Sequence, residues 1–257
     1  MLQESLLKVE SLTAFTDTTN LLENVSFALD CGETLCVVGE SGAGKSTLLK
    51  SLLGIQPSHW KRFQHHLVNG DIEIINVEKR TLGLPFTQWV AQDPLAALNP
   101  RLNLNDLISE TLYKQNLPKG ERADKVMHAL ASVDLPTDWL QRKPTELSIG
   151  QAQRVCIARA IICEPKLILF DEPLSALDAI TQKQVAETMH TIHQETQYAQ
   201  IIVTHDLGFA KAYADKILVL KNGQVDAYAS ASDFFTTDQT EYCHKLLTAA
   251  QKLGVLY

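Results

Sequence analysis

A chain of 257 residues is within reach of one α/β domain, and its 45% hydrophobic and 21% charged content can fill a core, which excludes disordered and fibrous classes. The formal net charge of -7 excludes a broad basic face, so nucleic acid is not expected as the main partner and any bound anion must be held locally. No run nears the roughly 18 consecutive apolar residues of a membrane span, and Met1 to Glu10 carries no apolar signal core, so the chain is expected in the cytoplasm. The five cysteines, Cys31, Cys36, Cys156, Cys163 and Cys243, form no CxxC pair and are expected as reduced packing thiols.

In chain order, Thr34 to Val38 (TLCVV) predicts a strand, Gly39 to Thr47 a glycine-rich turn, and the Leu48, Leu49, Leu52, Leu53 stripe a helix. Between Pro94 and Pro165 the pattern is helical, broken by Pro100, Pro118, Pro136 and Pro144, and no strand is predicted there. Leu167 to Phe170 (LILF) and Ile201 to Val203 (IIV) predict two more strands ending on polar residues. Central strands of a parallel sheet end this way when they form the site, which would gather Asp171, Glu172 and His205 at one edge. The expected organisation is a single unit with a core over about residues 1–92 and 165–225, a helical subdomain over about 93–164 and a helical tail over 226–257. Phe234, Phe235, Tyr242, Leu246 and Leu247 give that tail a face to pack.

Gly39, Glu40, Ser41, Gly42, Ala43, Gly44, Lys45, Ser46 and Thr47 fit the pattern GxxxxGK[ST]. Its glycines let backbone N–H groups wrap phosphates, its lysine neutralises the β and γ oxygens, and its serine hydroxyl ligates Mg²⁺. Kinases, GTPases and motor ATPases share such a loop, so the rest of the chain must discriminate. Asp171 is suited to the Mg²⁺ shell, and Glu172, one residue on, to polarising the water that attacks the γ-phosphate; a DE pair that only caps a strand is the plainer reading. Leu147 to Gln151 (LSIGQ) precedes a helical face of Val155, Ala158, Ile161 and Ile162, which makes it a second anion site or a plain N-cap.

GESGAGKST, Gln92, LSIGQ, LILFDEP, Ser175-Ala176-Leu177-Asp178 and His205 follow the order and spacing of ABC transporter ATPases, which the chain resembles over nearly its whole length. The resemblance implies an α/β P-loop NTPase core with a mixed sheet and an inserted helical subdomain, and a head-to-tail dimer sandwiching two ATP molecules with Mg²⁺. It further implies that Phe15 stacks on adenine, with a core packing role as the alternative; that Gln92 joins Mg²⁺ and γ-phosphate to the transport machinery; and that His205 senses the γ-phosphate. Lys45, Glu172 and His205 would then be catalytic, and Ser46, Gln92 and Asp171 would serve the metal. Ser148, Gly150 and Gln151 would touch the partner's nucleotide, with Asp178 across the dimer interface. Ile149 departs from the family's usual glycine, leaving Ser148 and Gly150 in place.

Asp93 to Pro100 (DPLAALNP) after Gln92, and Gln153-Arg154 after LSIGQ, resemble the dipeptide, oligopeptide and nickel importer group. Glu241 to Leu247 resembles that group's HPYTxxLL element, and the short tail is similar to the nickel or metal-chelate type. The partners so implied are a second ATPase subunit in a heterodimer or homodimer, two membrane permeases and, indirectly, an extracytoplasmic binding protein, with the chain peripheral on the cytoplasmic face. The alternative is a soluble ABC ATPase acting in assembly of a metal cluster or enzyme complex. His59, His65, His66, His190 and His193 lack a completing ligand set and are expected as solvated or packing residues.

Overall fold

The computed structural model describes residues 5–16, 18–55, 62–69, 72–75, 86–115, 117–237 and 240–252; for 62–69, 72–75 and 114 it describes the backbone alone. The chain forms two compact units, one of residues 1–87 and 199–257, the other of residues 88–198.

The first unit opens with β1 (Ser5–Phe15) and β2 (Asn20–Asp30), an antiparallel pair. Buried and exposed residues largely alternate along both, the pattern of strands with one packed face. With β4 (Arg62–Asn69) and β5 (Ile72–Ile75) they form an antiparallel sheet in the order β2-β1-β4-β5. A second layer is built on β3 (Thr34–Val38), all five residues buried, flanked in parallel by β8 (Ala199–Val203) and β9 (Lys216–Lys221). Strands covered on both faces read as continuous apolar runs, which is why TLCVV and IIV were legible. Helix α1 (Lys45–Leu52) buries Leu48, Leu49 and Leu52; α7 (Leu207–Tyr213), α8 (Ala231–Thr236) and α9 (Glu241–Lys252) complete this unit.

The expected helical tail from residue 226 meets a strand first. Asn222 (φ 49°) and Gly223 (φ 79°) form a tight left-handed turn that pairs β10 (Gln224–Ser230) antiparallel to β9. An Asn-Gly pair favours this hairpin because both central residues need positive φ. Tyr228 on β10 bridges the two layers: its hydroxyl donates to the Ala28 carbonyl at 2.6 Å and accepts the Ala28 N–H at 3.3 Å.

In the second unit, β6 (Thr87–Val90), where the chain enters it, is hydrogen-bonded to β7 (Leu167–Asp171). Between them lie α2 (Pro94–Ala97), α3 (Leu104–Ser109), α4 (Lys119–Ser132) and α5 (Ile149–Ile161), with 3-10 turns and no strand among the described residues. Four of the prolines mark starts: Pro94 is the first residue of α2, Pro118 caps α4, Pro136 caps a 3-10 turn and Pro144 opens another, whereas Pro100 lies in the turn between α2 and α3. A first-turn proline has no N–H to lose and a preset φ. Helix α6 (Ala179–Thr196) ends the unit, whose core includes Phe170, Val155, Ala158 and Leu107.

Cys36 and Cys156 are buried and Cys31 is exposed. Burial pushes the Cys36 thiol far above its ordinary value and the Cys156 thiol up to about 11, so neither forms the reactive thiolate at neutral pH. Alkylation at pH 8 is expected to label Cys31 well before Cys36 and Cys156, which react only after denaturant is added; peptide mass mapping reads the order.

Candidate functional site

In the first unit the turn from β3 to α1 is shaped by glycine. A Cβ on Gly39 would stand 2.3 Å from the Leu220 carbonyl oxygen, and one on Gly44 2.9 Å from that of Leu21. Gly42 (φ 83°) and Gly44 (φ 105°) occupy left-handed backbone regions. The turn is closed by Ala43 N–H to Glu40 O at 3.1 Å and held from outside by Gly223 N–H to Ala43 O at 3.0 Å. Lys45 is buried and donates through Nζ to Gly39 O at 2.8 Å and Glu40 O at 3.0 Å. Ser41, Gly42 and Ser46 are exposed, and the first turn of α1 carries no acid to compete for its N–H groups. A concave backbone with a lysine at a helix N-terminus suits a polyphosphate.

His205 follows β8 and is exposed. Thr204 N–H donates to Val37 O at 3.1 Å, so this histidine stands beside the end of β3, where the loop begins. Thr204 Oγ1 accepts the Asp206 N–H at 3.0 Å, and Asp206 caps α7 through Phe209 N–H at 3.0 Å. Phe15, the last residue of β1, is half-buried, whereas Phe27 is packed in the core.

The second unit holds the other expected residues. Asp171 ends β7 and is buried; Glu172 follows with φ 47°, a left-handed conformation uncommon outside glycine. Its carboxylate accepts from Gln92 Nε2 at 3.1 Å, and its carbonyl accepts from Ser175 N–H at 3.2 Å and Oγ at 3.0 Å. The structure therefore brings Gln92 onto Glu172 across 80 residues of sequence. Ser148 and Gln151 form a reciprocal capping box at the start of α5, at 3.3 Å and 3.0 Å. The Ser148 hydroxyl, used there as an acceptor, keeps its O–H as a donor. Asp178 caps α6 through the N–H groups of Ile180 and Thr181, both at 3.1 Å, and Thr181 Oγ1 donates to it at 2.7 Å. That side-chain bond, with the amides, holds the Asp178 carboxyl below its ordinary range.

Thr181 is a residue the sequence reading missed; the local signal was Asp178 itself, an N-cap residue type ahead of a helical run. A Cβ on buried Gly150 would lie 2.4 Å from Thr181 Cγ2 and 3.8 Å from Leu177 Cδ2. Gly150 is therefore where α5 packs against α6, and Ile149 beside it is 43% exposed. Among the described residues no group of three or more His, Cys, Asp or Glu is placed to hold a metal ion. His59 lies outside the described residues, and His65 and His66 are described by backbone alone, on β4.

Residues 22–175 match the family described as ABC transporter. The chain belongs to the ABC transporter family. It is 36% identical over 243 residues to the oligopeptide transport ATP-binding protein OppF of Haemophilus influenzae, covering 90% of this chain and 70% of that protein. It is 33% identical over 263 residues to the dipeptide transport ATP-binding protein DppD of Bacillus subtilis, covering 98% and 78%. Among solved structures, cbiO1 of Clostridium perfringens, part of the ABC transporter complex cbiONQ, superposes with a TM-score of 0.79 at 25% identity over 98% of both chains. The ATP-binding cassette MJ0796, in a dimeric post-hydrolysis state bound to ADP and Pi, gives a TM-score of 0.70 at 25% identity, covering 88% of this chain and 98% of that one. The fold is thus the α/β P-loop NTPase type with a mixed sheet, and the protein is an ABC ATPase.

In this ABC ATPase, Gly150 is expected to be intolerant of a methyl group. Gly150→Ala should lower stability by about 1–3 kcal/mol through overpacking. Adding Thr181→Ser, which removes Cγ2 and keeps the hydroxyl for Asp178, should restore most of it; denaturant melts of the single and double variants give the coupling.

Proposed function

We propose that the chain is an ATP-binding and ATP-hydrolysing subunit that powers a membrane importer of peptides or of nickel and metal chelates. The observation that carries the ATP reading is the glycine-bounded turn at the start of α1 with Lys45 buried in it. The import reading is supported by two relatives named for oligopeptide and dipeptide transport. No helix among the described residues is long and apolar enough to cross a membrane. The chain's likeness to transport ATP-binding proteins supports assigning translocation to separate permease subunits, with this chain peripheral on the cytoplasmic side.

Residue roles follow from chemistry. The Gly39–Thr47 amides and Lys45 hold the β- and γ-phosphates, and half-buried Phe15 offers its ring to adenine. Ser46 in the first unit, and Asp171 and Gln92 in the second, would each offer an oxygen to Mg²⁺, which when bound would neutralise phosphate charge. Glu172 orients and deprotonates the attacking water, and Gln92, hydrogen-bonded to it, sets its carboxylate. His205 reports on the γ-phosphate. Ser148, Gly150 and Gln151 present the α5 N-terminus to the nucleotide of a second ATPase subunit, with Asp178 at the facing surface; that subunit is a different ABC ATPase or a second copy of this chain.

Glu172→Gln should leave ATP affinity within a few-fold of wild type and slow hydrolysis by about 10²–10⁴, since a general base is lost while the phosphate grip stays. Equilibrium binding and phosphate release test this, and unaltered turnover would sink the assignment. The same variant, held with ATP, should bring two multi-span permeases down from native membranes. Recovery of soluble assembly partners alone would instead favour an ABC ATPase of metal-cluster or enzyme-complex assembly.

A further inference from the structure

Helix α9 reaches the phosphate loop from behind. Its start is tied to β10: the Asp226 carboxylate accepts hydrogen bonds from the Thr240 hydroxyl and from the Cys243 thiol, the latter at 3.4 Å. Thr240 Oγ1 in turn accepts the Cys243 N–H at 3.2 Å, as a cap does. This anchoring sets Tyr242, 7% exposed, with the Lys221 ammonium over its ring at 4.8 Å and its hydroxyl accepting the Glu40 N–H at 3.0 Å.

The Glu40 N–H and the Gly39 carbonyl belong to one peptide group, which is planar and stiff. That carbonyl accepts from Lys45 Nζ at 2.8 Å. One peptide plane therefore carries the tyrosine at its N–H end and the loop lysine at its C=O end. We infer that Tyr242 is a positioning residue for Lys45: by taking the Glu40 N–H it sets the tilt of the Gly39–Glu40 peptide, and with it the place from which the ammonium meets a nucleotide's phosphates. The inference rests on the reading of Gly39–Thr47 as the ATP loop.

Other features of the region agree. Burial pushes the Tyr242 phenol above its ordinary value, against the opposing pull of the Glu40 N–H, so the hydroxyl remains un-ionised at neutral pH. The same peptide is backed by β9, since the Leu220 carbonyl leaves Gly39 no room for a Cβ, and Lys221 next in sequence covers the tyrosine ring. A phenylalanine would fill this space equally well. The hydroxyl adds only the bond to the loop, and a buried hydroxyl is costly unless partnered.

Tyr242→Phe in the full chain isolates that bond. Its melting temperature without nucleotide is expected to match wild type, the KM and Kd for ATP to rise about five- to tenfold, as loss of one hydrogen bond implies, and kcat to stay within about twofold. Hydrogen exchange at the Glu40 amide should accelerate, a direct readout independent of activity. Lys45→Ala serves as the control. If it binds ATP as wild type does, the loop reading itself fails, and the inference with it. If Lys45→Ala loses ATP while Tyr242→Phe keeps wild-type KM and Glu40 exchange, the inference alone is overturned. A lowered melting temperature with unchanged KM makes Tyr242 a packing residue and overturns it equally.

Discussion

At Gly39 and Gly44 the backbone of the β3–α1 turn runs closer to its neighbours than a Cβ allows, and the character of the first unit follows from this close approach. The wall behind Gly39 is the Leu220 carbonyl of β9, and the wall behind Gly44 is Leu21 and Leu22 of β2. Gly223, at the tip of the β9–β10 hairpin, donates to Ala43 and accepts from Glu23, so one turn fastens the loop and β2 together. The loop is therefore not a flexible glycine run. Its conformation is imposed by strands on both sides, and glycine is what lets the backbone comply. Preset amides of this kind bind charge without reorganising at the moment of binding.

In the second unit the same economy of space operates between two helix starts. Gly150 lets α5 lie against Thr181 of α6, and the capping groups of both helices, Ser148 with Gln151 and Asp178 with Thr181, lie at those two starts. Each polar residue there satisfies its own helix first, and Ser148 and Asp178 remain solvent-exposed in doing so. Glu172 is the strained member. A left-handed backbone outside glycine costs about 1–3 kcal/mol and persists only where surroundings enforce it. Here Ser175 grips its carbonyl by two hydrogen bonds while Gln92 takes its carboxylate.

The motifs of the candidate site were legible in the sequence because they consist of residue types at short, fixed spacings. Glycines, lysine and serine between a strand and a helix, a DE pair closing an apolar run, and a serine-glycine helix start need only local periodicity to be recognised. The central strands were legible for a related reason, since burial on both faces leaves an unbroken apolar run. The half-exposed β1, β2 and β10 carry a weaker alternating signal, which hid the antiparallel sheet and replaced a strand by an expected helical tail. The Asn222-Gly223 pair was the local clue to that hairpin.

Residue types and their spacing thus determined the glycine-rich turn with its lysine, the DE pair and the serine-glycine helix start, and the α/β class that presents them. Tertiary structure alone decided that Gln92 holds Glu172, that Gly150 faces Thr181, and that Tyr242 reaches the Glu40 amide across 202 residues. Such pairings depend on which strands lie side by side and on how closely backbones approach, and no pattern within a few residues of either partner encodes them.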